Sequence, residues 1–250
     1  CDCEDGAHAG AEAEHARMAA GIVMSEDNRF GRVGARIHDI THPHWEQDVD
    51  ILVGLAGSRL AFLTIPKVRS AADAARQIEC IRSAEERHGV EREIPVHVLI
   101  ETHGALRDAW DIAALDRVES LDFGLMDFVS GHHGAIPGAA MRSPGQFEHP
   151  LVVRAKPEIA AACHAFGKVP SHCVVTEFRD TAALQAAATQ ASQSLGYTRM
   201  WSIHPAQIRP ILAALAPDDV EIERAGRIIV AAVAADWAPI SEDGVLHDRA

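Results

Sequence analysis

Apolar runs closed by a polar residue recur along this chain at a nearly constant interval. They fall at Cys1–Asp5 (CDCED), Val33–His38 (VGARIH), Leu60–Lys67 (LAFLTIPK) and Val96–Glu101 (VHVLIE). Three more follow at Leu121–Asp127 (LDFGLMD), His172–Thr176 (HCVVT) and Met200–His204 (MWSIH). Most spacings are about thirty residues, the length of one β-strand plus one crossover helix. Inside the runs the apolar positions are nearly continuous rather than alternating, as in parallel strands buried on both faces. Between the runs lie helix-like stretches, of which residues 70–89 (SAADAARQIECIRSAEERHG) are the plainest. There Ala72, Ala75, Ile78, Cys80 and Ile81 fall roughly on one helical face, with Gly89 as a stop.

Strands at βα spacing predict an α/β fold of the (β/α)8 TIM-barrel type with one strand unaccounted for. The chain opens without Met and inside a strand-like run, so a first βα unit is expected to be missing from this numbering. A length of 250 residues suits such a barrel, whose active site lies at the C-terminal ends of the strands. A doubly wound open sheet is the alternative, because periodicity alone cannot close a barrel. The barrel domain is expected over residues 1–238, with residues 239–250 forming a separate C-terminal segment.

Composition narrows the classes of partner. Hydrophobic residues make up 48%, enough for a core, and no apolar run approaches the ~20 residues of a membrane span. Lys and Arg total 23 against 36 acids, a net charge of −13, which argues against nucleic acid or an anionic membrane as partner. The five cysteines show no CxxC and read as reduced thiols of a cytoplasmic protein. A zinc site from Cys1, Cys3 and His8 is disfavoured, since a CxC on a strand sends its thiols to opposite faces. His132 and His133 are adjacent, and adjacent side chains rarely converge on one ion. They lie in a Gly- and Pro-rich stretch, VSGHHGAIPGAAMRSPGQFEHPL, expected to be a long loop over the strand ends that acts as lid or substrate wall.

The chemistry is carried by two acids. Glu101 closes one run, and Asp127 closes the next, 26 residues later. If the strands lie side by side and parallel, both carboxylates can face one Mg²⁺, which uses one or two protein carboxylates and leaves its other positions to water and substrate. Arg36 adds a planar fork for a carboxylate or a developing oxyanion. Lys67 as a Schiff-base nucleophile would need a lowered pKa, and acidic neighbours at the barrel mouth would hold it protonated.

The ordered series CEDG, RIH, IPKV, LIET, FGLMD and SIHPAQI resembles the HpcH/HpaI aldolase and citrate lyase β-subunit superfamily. The likeness is strongest to its CitE-like branch, with motifs LEDxV, RxN, PKV, IET, GxxD and IHPxQ. The resemblance implies a barrel that binds Mg²⁺ and makes or breaks a carbon–carbon bond next to a carbonyl. By position, Glu101 and Asp127 match the metal ligands, and Arg36 matches the arginine that holds a substrate carboxylate or enolate oxygen. Glu4 and Asp5 match the acidic pair at the mouth, counted with Arg36 among the catalytic residues. Pro66 and Lys67 match the PK pair, Lys67 on the substrate side, while His204, Pro205 and Gln207 match the last-strand motif. DGVLHD resembles the family's DGxMID, whose aspartate, here Asp248, reaches a neighbouring subunit's site as acid or base. The family forms trimers or hexamers, so a homotrimer or homohexamer is implied.

This chain departs from the pattern in placing His38 where the family has Asn, and in having no match for the first-strand arginine. The reading is a Mg²⁺-dependent carbon–carbon lyase of the citrate lyase β type, acting on a short hydroxyacyl thioester such as an acyl-CoA through an enolate. The alternatives are a class II aldolase releasing pyruvate from a 4-hydroxy-2-keto acid, and a barrel that binds a carboxylate ligand without turning it over.

Overall fold

β-branched and aliphatic residues build the strands where the apolar runs predict them, with shifted ends. The computed structural model describes residues 1–7 and 9–249, so the His8 member of the disfavoured zinc set lies outside the described residues. Six strands, β1 Ala35–Arg36, β2 Leu63–Ile65, β3 Val96–Ile100, β4 Val118–Phe123, β5 Val169–His172 and β6 Arg199–Met200, form one parallel sheet. The first run adds only a parallel bridge from Asp2 to Arg36. Sheet order follows sequence order from β1 to β6. A doubly wound sheet reverses direction at a switch point, and this one does not, so the strands curl as an arc of a barrel.

Two runs needed correction. The run ending in Asp127 holds strand only to Phe123. Gly124 then breaks it, and Asp127 sits in the helix Leu125–Ser130 that follows. Of the run at His172–Thr176 only His172 is strand, the last residue of β5, which begins earlier at Val169. Pro170 serves the ladder, its carbonyl accepting the Thr198 N–H at 3.3 Å.

Helices occupy the intervals: α1 Glu12–Met24, α2 Trp45–Ala56, α3 Ala71–His88, α4 His103–Arg107 and α5 Ala109–Ala113. They continue with α6 Leu125–Ser130, α7 Pro150–Ala165, α8 Thr181–Leu195, α9 Ile208–Leu215 and α10 Asp219–Ala234. The helix α3 shows how local chemistry sets the bounds. Ser70 caps it by accepting the Asp73 N–H, and Gly89 stops it at φ 66°, a left-handed conformation. Its buried face is Ala74, Gln77, Ile78 and Ile81, whereas Ala72 and Ala75 are exposed, a rotation of the expected face. Val96, Val98 and Ile100 of β3 point away from the strand-end site into a core shared with Val49, Leu52, Ile81 and Ile159.

The chain divides into two compact units, Cys1–Ala214 and Leu215–Ala250. Within the second, Asp218 caps α10, and Ile240–Glu242 (β7) pairs antiparallel with Val245–His247 (β8). Asp243 and Gly244, at φ 49° and 77°, make the two-residue turn that Asp-Gly favours. The segment expected after residue 238 therefore holds a hairpin, tied to α10 by Arg227 Nε donating to Glu242 at 2.9 Å. No described helix is long and apolar enough to cross a membrane.

Candidate active site

Arg36, Lys67 and Glu101 stand at the C-terminal ends of β1, β2 and β3, Glu4 and Asp5 follow the first bridge, and Asp127 lies in α6. Glu101 follows the last residue of β3 and is 4% exposed. Its Oε1 accepts the backbone N–H of Lys67 at 2.7 Å, which locks the carboxylate to the end of β2. Lys67 reaches that position in the left-handed region, at φ 48°. This conformation costs a non-glycine residue about 1–3 kcal/mol, a strain typical of functional sites. Thr102 fixes the next turn, accepting the Ala105 N–H at 3.0 Å and donating to the Val68 carbonyl at 2.6 Å. Gly124 leaves room for Glu101, since a Cβ there would come within 2.6 Å of the Glu101 Cβ.

Around Lys67 the charges interlock. Its Nζ lies 2.8 Å from Glu4, 3.1 Å from Asp5 and 3.8 Å from Asp127. Burial would lower the Lys67 pKa, but Glu4, Asp5 and Asp127 outweigh it and hold the ammonium protonated well above the ordinary lysine range. A Schiff-base role has no support in that setting. Arg36 donates to Asp2 from Nε at 2.8 Å and Nη2 at 2.6 Å, and its Nη1 lies 2.8 Å from Glu4. Glu4 thus sits between two cations, its contacts charge–charge rather than aligned hydrogen bonds. Burial raises its pKa, offset in part by Lys67 and Arg36.

Burial, together with the charge of Asp127 beside it, pushes the Glu101 carboxyl up to about 8. A buried carboxyl with a second acid in the same cleft suits a hard cation with oxygen ligands. Among the described residues no group of three or more His, Cys, Asp or Glu could enclose a metal, so a cation here would take two protein carboxylates and complete its shell from water and substrate.

Glu101 and Asp127 line two clefts. One, of about 480 Å³, includes Asp39, Thr41, Lys67, Arg69 and His133. The other, of about 240 Å³, joins them to Asp5, Arg36, Trp201 and Ile203. A third, of about 790 Å³, is walled by residues 138–145 of the long loop, with Met126 common to it and the second.

The remaining predicted residues fall as follows. His132 donates from Nδ1 to the Phe128 carbonyl at 2.7 Å and packs on the Phe128 ring, a structural role. His38 pairs through Nδ1 with the buried Asp48 at 2.6 Å. His204 caps a short turn and stacks on Phe178, while Gln207 ties that turn to the Val175 carbonyl at 2.8 Å. Pro66 is buried between Ile65 and Lys67. Asp248 is exposed and follows β8 in the second unit. The sequence reading missed Asp2, Gly124 and the apolar wall at Trp201. Only the bidentate habit of arginine pointed toward the first, and its partner lies 34 residues away.

Known proteins resemble this chain over most of its length. The profile of the HpcH/HpaI aldolase/citrate lyase family matches residues 1–205. An L-malyl-CoA/beta-methylmalyl-CoA lyase of Cereibacter sphaeroides is 29% identical over 213 residues, 81% of this chain and 66% of that one. The chain therefore spans just under two thirds of the length of such curated relatives. A crystal structure of a citrate lyase from Burkholderia xenovorans LB400 is 55% identical with a TM-score of 0.94, covering 99% of this chain and 78% of the other. The protein CitE of Mycobacterium tuberculosis, in complex with magnesium, acetoacetate and coenzyme A, has a TM-score of 0.73 at 24% identity, covering 99% of this chain and 82% of that one.

Proposed function

This chain belongs to the HpcH/HpaI aldolase/citrate lyase family, and on that premise we propose that it is a carbon–carbon lyase acting on a short hydroxyacyl-CoA thioester. The observation that carries the reading is the buried Glu101 carboxylate sharing a cleft with Asp127, beside Lys67 and Arg36. The relatives named as malyl-CoA lyases supply the thioester, and the magnesium held by CitE supplies the metal of choice.

Glu101 and Asp127 are the residues that would hold Mg²⁺. When bound, the ion acts as Lewis acid and template for a carboxylate and its neighbouring oxygen. Cleavage breaks the bond between the carbinol carbon and the carbon next to the thioester carbonyl, and leaves an enolate. Arg36 spends Nε and one Nη2 hydrogen on Asp2 and turns Nη1 toward Glu4, which leaves one hydrogen on each terminal nitrogen for the enolate oxygen. Lys67, kept cationic, adds positive charge at the same edge. Glu4 and Asp5, beside Lys67, are the carboxylates placed to hold the hydroxyl proton. Asp248 returns a proton to the enolate carbon from a neighbouring subunit, within a homotrimer or homohexamer whose cross-subunit segment is 239–250.

A mass-spectrometric cleavage screen of hydroxyacyl-CoAs and 4-hydroxy-2-keto acids, with and without Mg²⁺, tests the reading. Cleavage of a thioester that disappears on chelation and in Asp127→Asn is expected. Cleavage of free keto acids alone would make the chain a class II aldolase. Tight metal binding with no turnover would make it a carboxylate-binding barrel.

A further inference from the structure

Lys156, on α7, is fully buried, and the proposed chemistry makes no use of it. Its ammonium carries three donors. Gln146 Oε1 accepts one at 3.1 Å, and the Phe147 ring lies 3.7 Å from Nζ. Both partners belong to the long loop, and no carboxylate pairs with Nζ among the described residues. Gln146 is the one buried residue between Met141 and His149, so it enters the body as a peg. Its Oε1 also accepts the Cys173 S–H at 3.2 Å, and Phe147 stacks on His172 with ring centroids 5.5 Å apart. The segment that carries the peg is also a cleft wall. Gly145 and Glu148, on either side of Gln146 and Phe147, line the cleft of about 790 Å³ together with Thr176, three residues beyond Cys173. The ionisable groups packed around Lys156 are His172 and Cys173 at the end of β5, and Tyr197 before β6, whose hydroxyl donates to the Lys156 carbonyl at 2.9 Å. Burial shifts all three toward their neutral forms, the imidazole down and the thiol and phenol up. Burial also brings Lys156 down to about 8, which makes it the group of this cluster that changes charge in mildly alkaline solution.

We infer that Lys156 is a positioning residue that couples the loop to a proton: residues 138–149 close over the cleft most firmly when Nζ is a neutral amine. A neutral amine still donates to Gln146, whereas an ammonium shut beneath the loop keeps donors without acceptors. When the loop lifts, its two partners leave Nζ, water replaces them, and Nζ takes up a proton. Closing returns that proton to solvent, and no other reactant takes part. The closed form, with Lys156 at about 8, therefore gains on an open form at the ordinary 10.5 as pH rises from the first value to the second. Below pH 8 both forms hold the proton and the gain is absent. Linkage sets the gain at about tenfold per pH unit. The coupling does not depend on what the cleft binds or turns over.

Hydrogen exchange of the whole chain, read by mass spectrometry and corrected for the intrinsic rate at each pH, tests the coupling. Protection of residues 138–149 is expected to rise about tenfold per unit from roughly pH 8 to pH 10, with these amides exchanging faster than those of β3 throughout. Lys156→Met removes the titrating group. Gln146→Glu sets a carboxylate against Nζ and keeps the ammonium paired when the loop is closed. In both variants, once circular dichroism shows the fold, protection of the loop should stay level over that range. Should Lys156→Met fail to fold, the unaltered chain and Gln146→Glu decide alone. A level profile in the unaltered protein, or a rising one kept in either variant, overturns the inference. Loop amides exchanging in step with β3 also overturn it, because the opening would then be global.

Discussion

A lysine and a glycine show how much rests on single side chains. Lys156, in the middle of α7, is fully buried, with Nζ donating to Gln146 at 3.1 Å and lying 3.7 Å over the Phe147 ring. Burial lowers its pKa from 10.5 to about 8. Between those values the unfolded chain binds more protons than the folded one, so this residue makes stability rise with pH across that window. Urea melts of the native protein and of Lys156→Met should therefore diverge from pH 8 to pH 10 in favour of the native chain. A constant difference would refute the buried cation. In sequence, PLVVRAKPEIAAACHA offers no sign that this lysine is inside, because lysines on helices normally reach solvent. Gly124 is the converse case: its backbone would accept a side chain, but Glu101 occupies the space. Gly124→Ala should displace that carboxylate and weaken Mg²⁺ binding by roughly 10–100-fold, the usual effect of disturbing a ligand's support. Metal titration by calorimetry reads this directly.

The element scale separates what periodicity reveals from what it hides. Runs of Val, Ile and Leu announced β2 and β3 because an apolar run fits a doubly covered strand. Their ends were harder to place, since Leu125 and Met126 extend the apolar signal of β4 while the backbone has already turned into α6. The acid at Asp127 still reaches the site because one helical turn after a strand end faces the same mouth as the end itself. On α3 the alanines misled, because Ala is at home on either face, and the buried Gln77 went unnoticed as a polar residue. Both amide atoms of Gln77 are buried with no hydrogen-bond partner among the described residues. Such a group costs about 1–3 kcal/mol, so Gln77→Leu is expected to raise the urea midpoint by the equivalent of roughly 1 kcal/mol or more. A lower midpoint would mean that the amide is satisfied in solution.

At the scale of the whole molecule, the second unit carries an apolar surface that its own hairpin does not cover. No residue of α10 is buried among the described residues, and Val230 is 71% exposed, Val220 72% and Leu246 70%. Surfaces of this kind favour association, in line with the proposed oligomer and its shared sites. Asp248→Ala and Arg36→Ala should each be nearly inactive alone, and mixed oligomers should regain part of the activity. Verified subunit mixing with no recovery would remove Asp248 from the chemistry.

The strict agreement of sheet order with sequence order also bears on how the chain acquires this site. Each strand pairs with the one made just before it, so every pairing closes a loop of about one βα unit, and closure entropy grows only slowly with such lengths. The sheet can be laid down in the order of synthesis. The charge cluster cannot, because Lys67 must find Asp5 across 62 residues and Glu101 must then find Lys67 across a further 34. During synthesis Glu4 and Asp5 are therefore made well before the cation that pairs with them, and the later carboxylates arrive after that pair is set. On the proposed assignment to Glu101 and Asp127, metal affinity is acquired late, and its appearance in a refolding experiment marks the moment when β3, β4 and α6 have all taken their places.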